Sequence, residues 1–183
     1  IINDKDLTTF YNKIDRFLKD WKPKLDKRAS WDEYFLELTH AIAKRATCDR
    51  GKQAVIIVKD KRILTTGYVG SPIGLPHCDE AGHMMRTLMA DDGTQSRHCI
   101  RTLHGEQNAI IQAARHGISI NGATLYCKMT PCFTCAKMII NAGIKRVVCE
   151  KRYHADQLSR EILKQAKVKL EILDDKLEKY KDQ

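Results

Sequence analysis

Two short motifs in the second half of the chain contain residue types that could perform hydrolysis with a metal ion. The first motif, H-x-E, contains His104 and Glu106, and the second, P-C-x-x-C, contains Cys132 and Cys135. One histidine and two cysteines suit zinc, and three protein ligands leave the open position that a catalytic zinc site needs. Glu106 could take a proton from an activated water and deliver it to a substrate nitrogen.

Each motif also has a simpler interpretation when it is considered alone. His104 and Glu106 could be no more than a polar helix start, and Cys132 and Cys135 could be a redox pair of the thioredoxin type. The joint occurrence of both motifs, each at a strand-to-helix junction, is much more specific than either alone. The combination therefore favours a catalytic zinc site with a proton-transfer carboxylate over both simpler interpretations.

Helices and strands are predicted to alternate around the two motifs. The predicted elements are, in order, a helix at 104–116, a strand at 123–128, a helix at 132–141, a strand at 146–150, a helix at 156–167 and a strand at 168–173. Such alternation predicts an α/β fold with helices on both faces of one sheet. Both motifs then lie at helix N-termini, where the helix dipole favours a cysteine thiolate.

The first half of the chain is predicted to contain two helices and a hairpin. Residues 1–29 form a helical extension with apolar positions from Leu7 to Trp21, and Pro23 ends this pattern. A capping box at Ser30 starts a second helix, which we expect to run to about Thr47. The remaining predictions are strands at 54–58 and 62–67, an irregular stretch at 68–101, a main domain at 30–175 and a charged tail at 176–183.

Composition limits the classes of protein to which the chain could belong. It has 183 residues, a formal net charge of +9 and seven cysteines. Basic and acidic residues are mixed along the chain, so a nucleic-acid partner is not expected, whereas small phosphorylated ligands suit the charge. We find neither a run of about 18 apolar residues nor a secretory signal, so we expect a cytoplasmic protein without a membrane partner.

Six stretches together resemble the deoxycytidylate (dCMP) deaminases, a branch of the zinc-dependent cytidine and deoxycytidylate deaminase superfamily. They are ATCDR (46–50), AVIIVKDKRILTTGY (54–68), GSPIGLPHCDEAGH (70–83), HCIRTLHGEQNAIIQAARHGISI (98–120), GATLYC (122–127) and PCFTCAKMIINAGIKRVV (131–148). The resemblance implies a three-layer αβα sandwich around a five-stranded mixed sheet. It also implies a catalytic zinc on His104, Cys132 and Cys135, with Glu106 as the proton shuttle.

The activity that the resemblance implies is hydrolysis of dCMP to dUMP and ammonia, which supplies dUMP for thymidylate synthesis. Water activated by zinc attacks C4 of the cytosine ring in this family. Members are generally homo-oligomers, built from dimers and in some cases hexamers, and many are activated by dCTP and inhibited by dTTP. These properties are expectations for the present chain.

The resemblance also assigns roles to residues outside the two motifs. It implies a second, structural zinc on Cys48, Cys78, His83 and Cys99, although His77 and His98 compete for the histidine position. Unmetallated buried thiols are the alternative interpretation of this set. Arg50, His98 and Tyr153 match the positions that contact the substrate phosphate, and each also has an interpretation as a packing or surface group.

Three positions depart from the family pattern. Val69 stands where an asparagine usually contacts the sugar, Gly105 replaces the alanine of H-A-E, and residues 52–54 replace V-G-A. Valine cannot make the hydrogen bond to the sugar, and Gly105 lacks a methyl group beside the predicted zinc site. A deaminase of another base, nucleotide or nucleic acid, or a non-catalytic nucleotide-binding protein, therefore remains an alternative hypothesis.

Overall fold

A computed structural model of the chain describes residues 6–20, 28–89 and 95–178. The strands are β1 (Ala54–Lys59), β2 (Arg62–Tyr68), β3 (Met85–Met89), β4 (Gln95–Cys99), β5 (Thr124–Met129), β6 (Arg146–Tyr153), β7 (Lys169–Ile172) and β8 (Leu177–Glu178). The helices are α1 (Leu7–Asp20), α2 (Trp31–Ala43), α3 (Cys78–Ala81), α4 (Gly105–Arg115), α5 (Phe133–Asn141) and α6 (Gln157–Gln165).

The central sheet has the strand order β2-β1-β5-β6-β7. Strand β1 is antiparallel to both of its neighbours, whereas β5, β6 and β7 are parallel to one another. The predicted five-stranded mixed sheet is therefore confirmed. A sixth, two-residue strand, β8, lies in the predicted charged tail and pairs with the end of β6 at Arg152 and Tyr153.

Alternating side chains of β1 connect the helical layers on the two faces of the sheet. Val55 and Ile57 belong to the larger core, which includes residues of α4, α5 and α6. Ile56 and Val58 belong to a smaller core on the other face, against Phe35 of α2. Because successive strand side chains point to opposite faces, this pattern confirms the predicted layers.

Helix α2 begins as predicted but ends earlier than predicted. The Ser30 hydroxyl accepts a hydrogen bond from the Glu33 amide, and the Glu33 carboxylate accepts one from the Ser30 amide, which completes the capping box. The predicted end near Thr47 is wrong, because the helix stops at Ala43. The Thr47 amide instead donates to the carbonyl of Val69. This bond places the next residues beside the end of β2.

The prediction that residues 68–101 are irregular is wrong. They contain the short helix α3 and the antiparallel pair β3 and β4, in which Met85 lies opposite Cys99. The prolines and glycines of this stretch indicated a loop, but they precede the hairpin for the most part. Pairing between β3 and β4 satisfies backbone groups that a loop would leave to water.

The N-terminal extension forms the predicted helix α1. Its side chains Leu7, Phe17 and Leu18 are exposed in the single chain. Trp21 and Pro23, which the sequence pattern placed at the end of this helix, lie outside the described residues. Among the residues described, no helix combines the length and apolar character that crossing a bilayer requires.

Candidate zinc-dependent active site

The predicted catalytic residues lie at the N-terminal ends of two adjacent helices. His104 is the N-cap residue of α4, and Cys132 is the N-cap residue of α5, with Cys135 in the first turn. Strand β5 leads directly into α5, and the packing of α4 against α5 brings the two helix starts together. Backbone N–H groups at both ends create a positive potential that favours thiolate ligands.

The spacing of the three donor atoms fits a tetrahedral zinc site. Nδ1 of His104 lies 3.5 Å from Sγ of Cys132 and 3.5 Å from Sγ of Cys135. Zinc bonds of about 2.3 Å to sulfur and about 2.05 Å to nitrogen place such atoms roughly 3.6 Å apart at the tetrahedral angle. The donor set and its spacing therefore suit zinc with three protein ligands.

The ionisation states of His104 and Cys132 also favour binding of a metal cation. A hydrogen bond with Cys135 is the main reason that the pKa of the Cys132 thiol is lowered to about 4. A hydrogen bond with Cys132 raises the pKa of His104 to about 9. Cys132 is therefore a thiolate at neutral pH, and a bound zinc would replace the proton on His104, since a histidine ligand is neutral.

Glu106 lies in the first turn of α4, within the same wall. Its side chain is buried, and burial raises the pKa of its carboxyl group. Hydrogen bonding also connects Glu106 with Cys135. A carboxyl group whose pKa is raised towards neutrality can both accept and return a proton, as a proton shuttle must.

A cavity of about 450 Å³ opens onto these residues. His104, Glu106 and Cys132 form one part of its wall. The four residues predicted to contact substrate also line it, namely Arg50, Val69, His98 and Tyr153. The structure therefore brings together all three predicted zinc ligands, the predicted proton shuttle and all four substrate-binding candidates. Cys135 is fully buried behind the cavity wall, and the other residues line the cavity.

The second cysteine cluster lies beside the same cavity. Its donor atoms come from Cys48, Cys78, His83 and Cys99, and all lie within 4.8 Å of one another. Sγ of Cys78 is 3.6 Å from Sγ of Cys99, and Sγ of Cys48 is 3.8 Å from Nδ1 of His83. These distances also fit tetrahedral zinc, for which two sulfur ligands lie roughly 3.8 Å apart.

His83 is the histidine of this cluster, and the two competing histidines have other partners. Nε2 of His83 lies 2.9 Å from the Asp49 carboxylate, which is how a carboxylate orients a histidine ligand. Nδ1 of His77 lies 3.1 Å from the Thr47 hydroxyl. His98 is 2.8 Å from the Ser96 hydroxyl and lines the cavity.

Comparison with known families agrees with this geometry. Residues 29–151 match the family model described as the cytidine and deoxycytidylate deaminase zinc-binding region. The chain belongs to the cytidine and deoxycytidylate deaminase family. Zinc is thus the metal of this family, and the histidine and cysteine donors described above fit it.

Related proteins support the same assignment. The chain is 41% identical over 145 residues to ComE operon protein 2 of Bacillus subtilis, covering 79% of this chain and 72% of that protein. It is 36% identical over 143 residues to deoxycytidylate deaminase of Schizosaccharomyces pombe, covering 78% of this chain but only 44% of the yeast protein. A solved dCMP deaminase of the cyanophage S-TIM5, in complex with dCMP and dUMP, has a TM-score of 0.62 and 30% identity, with 83% and 98% coverage of the two chains.

In this deaminase-family chain the glycine of H-G-E faces the sheet. A Cβ atom on Gly105 would lie 3.2 Å from Cγ2 of Val55 and 3.4 Å from the carbonyl oxygen of Gly67. We expected from the sequence that the methyl group missing at Gly105 would have lain beside the zinc site. This expectation is wrong, because the methyl group would point towards the sheet. Because Gly105 has no side chain, α4 can pack closely on β1 and β2.

Val69 lies between the cavity and the second cysteine cluster. It is 9% exposed and packs with Cys48 and Cys78 while lining the cavity. Its amide donates to the carbonyl of Gln53, and its carbonyl accepts from Thr47. Hydrogen bonds therefore hold the backbone of Val69 on both sides. Its departure from the family pattern changes only the side chain that faces a substrate.

Sequence patterns did not indicate several residues of this deaminase-family site. Arg97, Phe133 and Thr134 also line the cavity, beside Gln53 of the stretch 52–54 that departs from the family pattern. Phe133 and Thr134 are the two variable positions of P-C-x-x-C, so the motif itself could have indicated them. Arg97 comes from the hairpin β3–β4, which was not predicted, and nothing in the sequence pattern pointed to it.

Proposed function

We propose that this chain is a zinc-dependent hydrolase that deaminates dCMP to dUMP and ammonia. The observation that carries the proposal is the buried carboxylate of Glu106 beside the donor set of His104, Cys132 and Cys135, at the base of one cavity. A binding protein would have no need of a buried carboxylate beside an open metal position. We infer dCMP as the substrate because the fission yeast and cyanophage relatives are named as dCMP deaminases.

The chemistry divides between the metal and the protein. His104, Cys132 and Cys135 would hold zinc, which supplies Lewis acidity and makes water nucleophilic near neutral pH. Glu106 takes one proton from the attacking water and delivers it to the ring nitrogen. It then takes the second proton from the hydroxyl group added to the ring carbon and delivers it to the amino group, which leaves as ammonia. Because the Glu106 side chain is 7% exposed, bulk water does not compete for this proton transfer.

The remaining lining residues suit a nucleotide monophosphate. Arg50 supplies a cationic group, and its guanidinium also donates to the carbonyl of Arg97 at 3.0 Å. Burial lowers the pKa of His98, so that it acts as a neutral hydrogen-bond donor. We assign Arg50, His98 and Tyr153 to the phosphate, and we place Val69 against the sugar, which it contacts without a hydrogen bond.

We further propose that the cluster of Cys48, Cys78, His83 and Cys99 holds a second, structural zinc. Four ligands close a zinc site, and such sites contribute folding free energy directly. This zinc would fasten α3 and the hairpin β3–β4 to the segment after α2. It would thereby hold Val69 and His98 in the cavity wall.

The resemblance to deaminases supports three further proposals. We propose a homo-oligomer built from dimers, in agreement with the exposed apolar side chains of Leu7, Phe17 and Leu18 on α1. We propose dCTP as activator and dTTP as inhibitor, which rate measurements with each nucleotide would test. A cytoplasmic location agrees with the nucleotide substrates named for the relatives.

A substrate panel tests the proposed reaction. Zinc-loaded protein is incubated with dCMP, CMP, deoxycytidine, dAMP and dGMP, and ammonia release is measured for each. The proposal predicts the highest kcat/KM for dCMP. A higher kcat/KM for another compound would show that the chain is a deaminase of the same fold with a different substrate. Ammonia release from none of the compounds would contradict the proposal that the chain is an enzyme.

A further inference from the structure

A second cavity, of about 820 Å³, lies along α6 and β7 and has a strongly basic lining. Of the residues that the structure describes, five cationic side chains line it, and Glu161 is the one acidic residue that does so. The cations are Arg152, Arg160, Lys164, Lys167 and Lys169. Among the described residues, no carboxylate lies within ion-pair distance of Lys164 or Lys167. This basic groove can therefore attract an anion without first breaking existing pairs at those two lysines.

The two arginines of the basic groove are fixed from inside the protein. Asp156 is 1% exposed, and its carboxylate accepts hydrogen bonds from Nε and Nη2 of Arg152, each at 3.2 Å. Nη1 of Arg160 lies 3.9 Å from the same carboxylate. Guanidinium groups held in place lose less side-chain entropy when they bind an oxyanion.

Lys167 occupies a backbone conformation that favours glycine. Helices α4 and α5 are followed by Gly117 and Gly143, with φ of 64° and 77°. Lys167 takes the corresponding place after α6 with φ of 58°. A lysine is strained there relative to glycine. A cation therefore stands at the edge of the basic groove in place of the glycine that this backbone conformation favours.

The basic groove differs from the active-site cavity in position and in chemistry. Arg152 lines the groove and the next residue, Tyr153, lines the active-site cavity, as expected for neighbours on a strand. Within the described part of the chain, no aromatic side chain on which a nucleic-acid base could stack lines the groove. Its lining comes from the nine-residue helix α6 and its immediate neighbours, which suits a small ligand.

We propose that the basic groove is a binding site for an oligophosphate anion, either inorganic or the phosphate chain of a nucleotide. Arginine and lysine together suit adjacent phosphate groups, because guanidinium groups bind oxygen pairs and ammonium groups act as point charges. The site is independent of the proposed deamination. Stabilisation of the α6 C-terminus by Lys164 and Lys167 is the competing explanation of these cations.

Calorimetric titration of the zinc-loaded protein with inorganic tripolyphosphate, at about 0.15 M salt, tests the proposal. Lys164→Gln/Lys167→Gln should weaken binding about tenfold or more, since each charged contact contributes substantially. The matched control is Lys44→Gln/Arg45→Gln, which removes two exposed cations after the C-terminal end of α2. The control should change the dissociation constant less than twofold. Absence of binding, or equal weakening by both variants, would overturn the proposal.

Lys167→Gly separates ligand binding from stabilisation of the helix. The proposal predicts weaker tripolyphosphate binding together with a higher midpoint of thermal unfolding, because glycine relieves the strain. Unchanged binding would overturn it. ATP should show the same dependence on Lys164 and Lys167 as tripolyphosphate. A single-stranded oligonucleotide that binds more tightly per phosphate, and loses binding in the same variants, would overturn the proposal in favour of nucleic acid.

Discussion

The hydroxyl of Thr130 donates a 2.9 Å hydrogen bond to the carboxylate of Asp156, and both residues are buried. The same hydroxyl accepts a 2.8 Å bond from the amide of Tyr153. Thr130 lies two residues before Cys132. This bond therefore connects the segment that carries the proposed zinc ligand Cys132 with the end of β6 and the start of α6.

Thr130→Val should destabilise the protein by about 1–3 kcal/mol, because it leaves a buried carboxylate without one of its donors. Zinc affinity and kcat/KM for dCMP should also fall, since the segment before Cys132 loses its anchor. Chemical denaturation and zinc titration measure the two effects. Thr130→Ser, which keeps the hydroxyl, is the control, and equal losses in both variants would show that the hydrogen bond is not the cause.

Cys78→Ser should lower the zinc content from about two to about one ion per chain, because a structural site needs all four ligands. The midpoint of thermal unfolding should fall in parallel. Metal analysis of purified protein measures the content directly. Cys149→Ala removes a buried thiol that lies outside both clusters and should leave the zinc content unchanged. A parent protein with one zinc, or a Cys78→Ser variant with two, would contradict the second site.

Gly105→Ala should leave the choice of substrate unchanged, whereas Val69→Asn should strengthen substrate binding. The alanine methyl group would meet Val55 at 3.2 Å and not the cavity, so relative rates on the nucleotide panel should not change. Its effect on stability should stay within about 1 kcal/mol, since better helix propensity offsets the tight contact. Asparagine at position 69 restores a hydrogen-bonding group in the cavity wall and should lower KM for dCMP by about two- to tenfold. A change in substrate preference in Gly105→Ala would contradict the assigned direction.

Acid should weaken the ion-pair cluster of Asp32, Arg146 and Glu171, which lies at the end of the sheet opposite the candidate active site. A hydrogen bond from Arg146 is the main cause of the lowered pKa of Asp32. Hydrogen bonds from Lys169 and then Arg146 lower the pKa of Glu171. Both carboxylates have pKa values below the ordinary 3.8 and 4.5. Their contribution to stability is therefore complete above about pH 4.5 and is lost as the pH falls through the folded-state values.

Arg146→Met isolates this contribution. Its destabilisation relative to the parent should be large at pH 7 and should shrink as the pH falls below about 4.5. Arg62→Met serves as the control, because Arg62 makes no ion pair among the described residues. Any zinc that is lost in acid should affect Arg146→Met, Arg62→Met and the parent equally, so this effect cancels when their free energies of unfolding are compared. A destabilisation by Arg146→Met that stays constant from pH 7 to pH 3 would show that these carboxylates do not depend on Arg146.

Sequence patterns predicted the layers and the two motifs H-x-E and P-C-x-x-C because those features depend on local spacing. The set of Cys48, Cys78, His83 and Cys99 was instead expected from the resemblance to the deaminases. The capping box at Ser30 and the alternation of helices and strands are visible within a few residues. The hairpin β3–β4 was missed because antiparallel pairing of Met85 with Cys99 depends on a partner 14 residues away. The direction of Gly105 could not be predicted either, because it depends on how closely α4 approaches Gly67 on a distant strand.

The role of Asp156 shows the same limit. Its position before α6 suggested a helix start, but its partners Thr130 and Arg152 come together only in the folded chain. Likewise, the motifs predicted Glu106 as a proton shuttle, whereas its burial and the raised pKa of its carboxyl group follow from packing. The donor residues of such a site can be predicted from sequence, and the environment that tunes them cannot.

The most direct test of the proposed reaction is the rate of ammonia release from dCMP by zinc-loaded Glu106→Gln. Glutamine keeps the size of the side chain but cannot carry the proton, so kcat should fall by about 10²- to 10⁴-fold. Zinc content and the midpoint of thermal unfolding should stay close to those of the parent. A variant that keeps its zinc and releases ammonia at the parent rate would contradict the proposed role of Glu106.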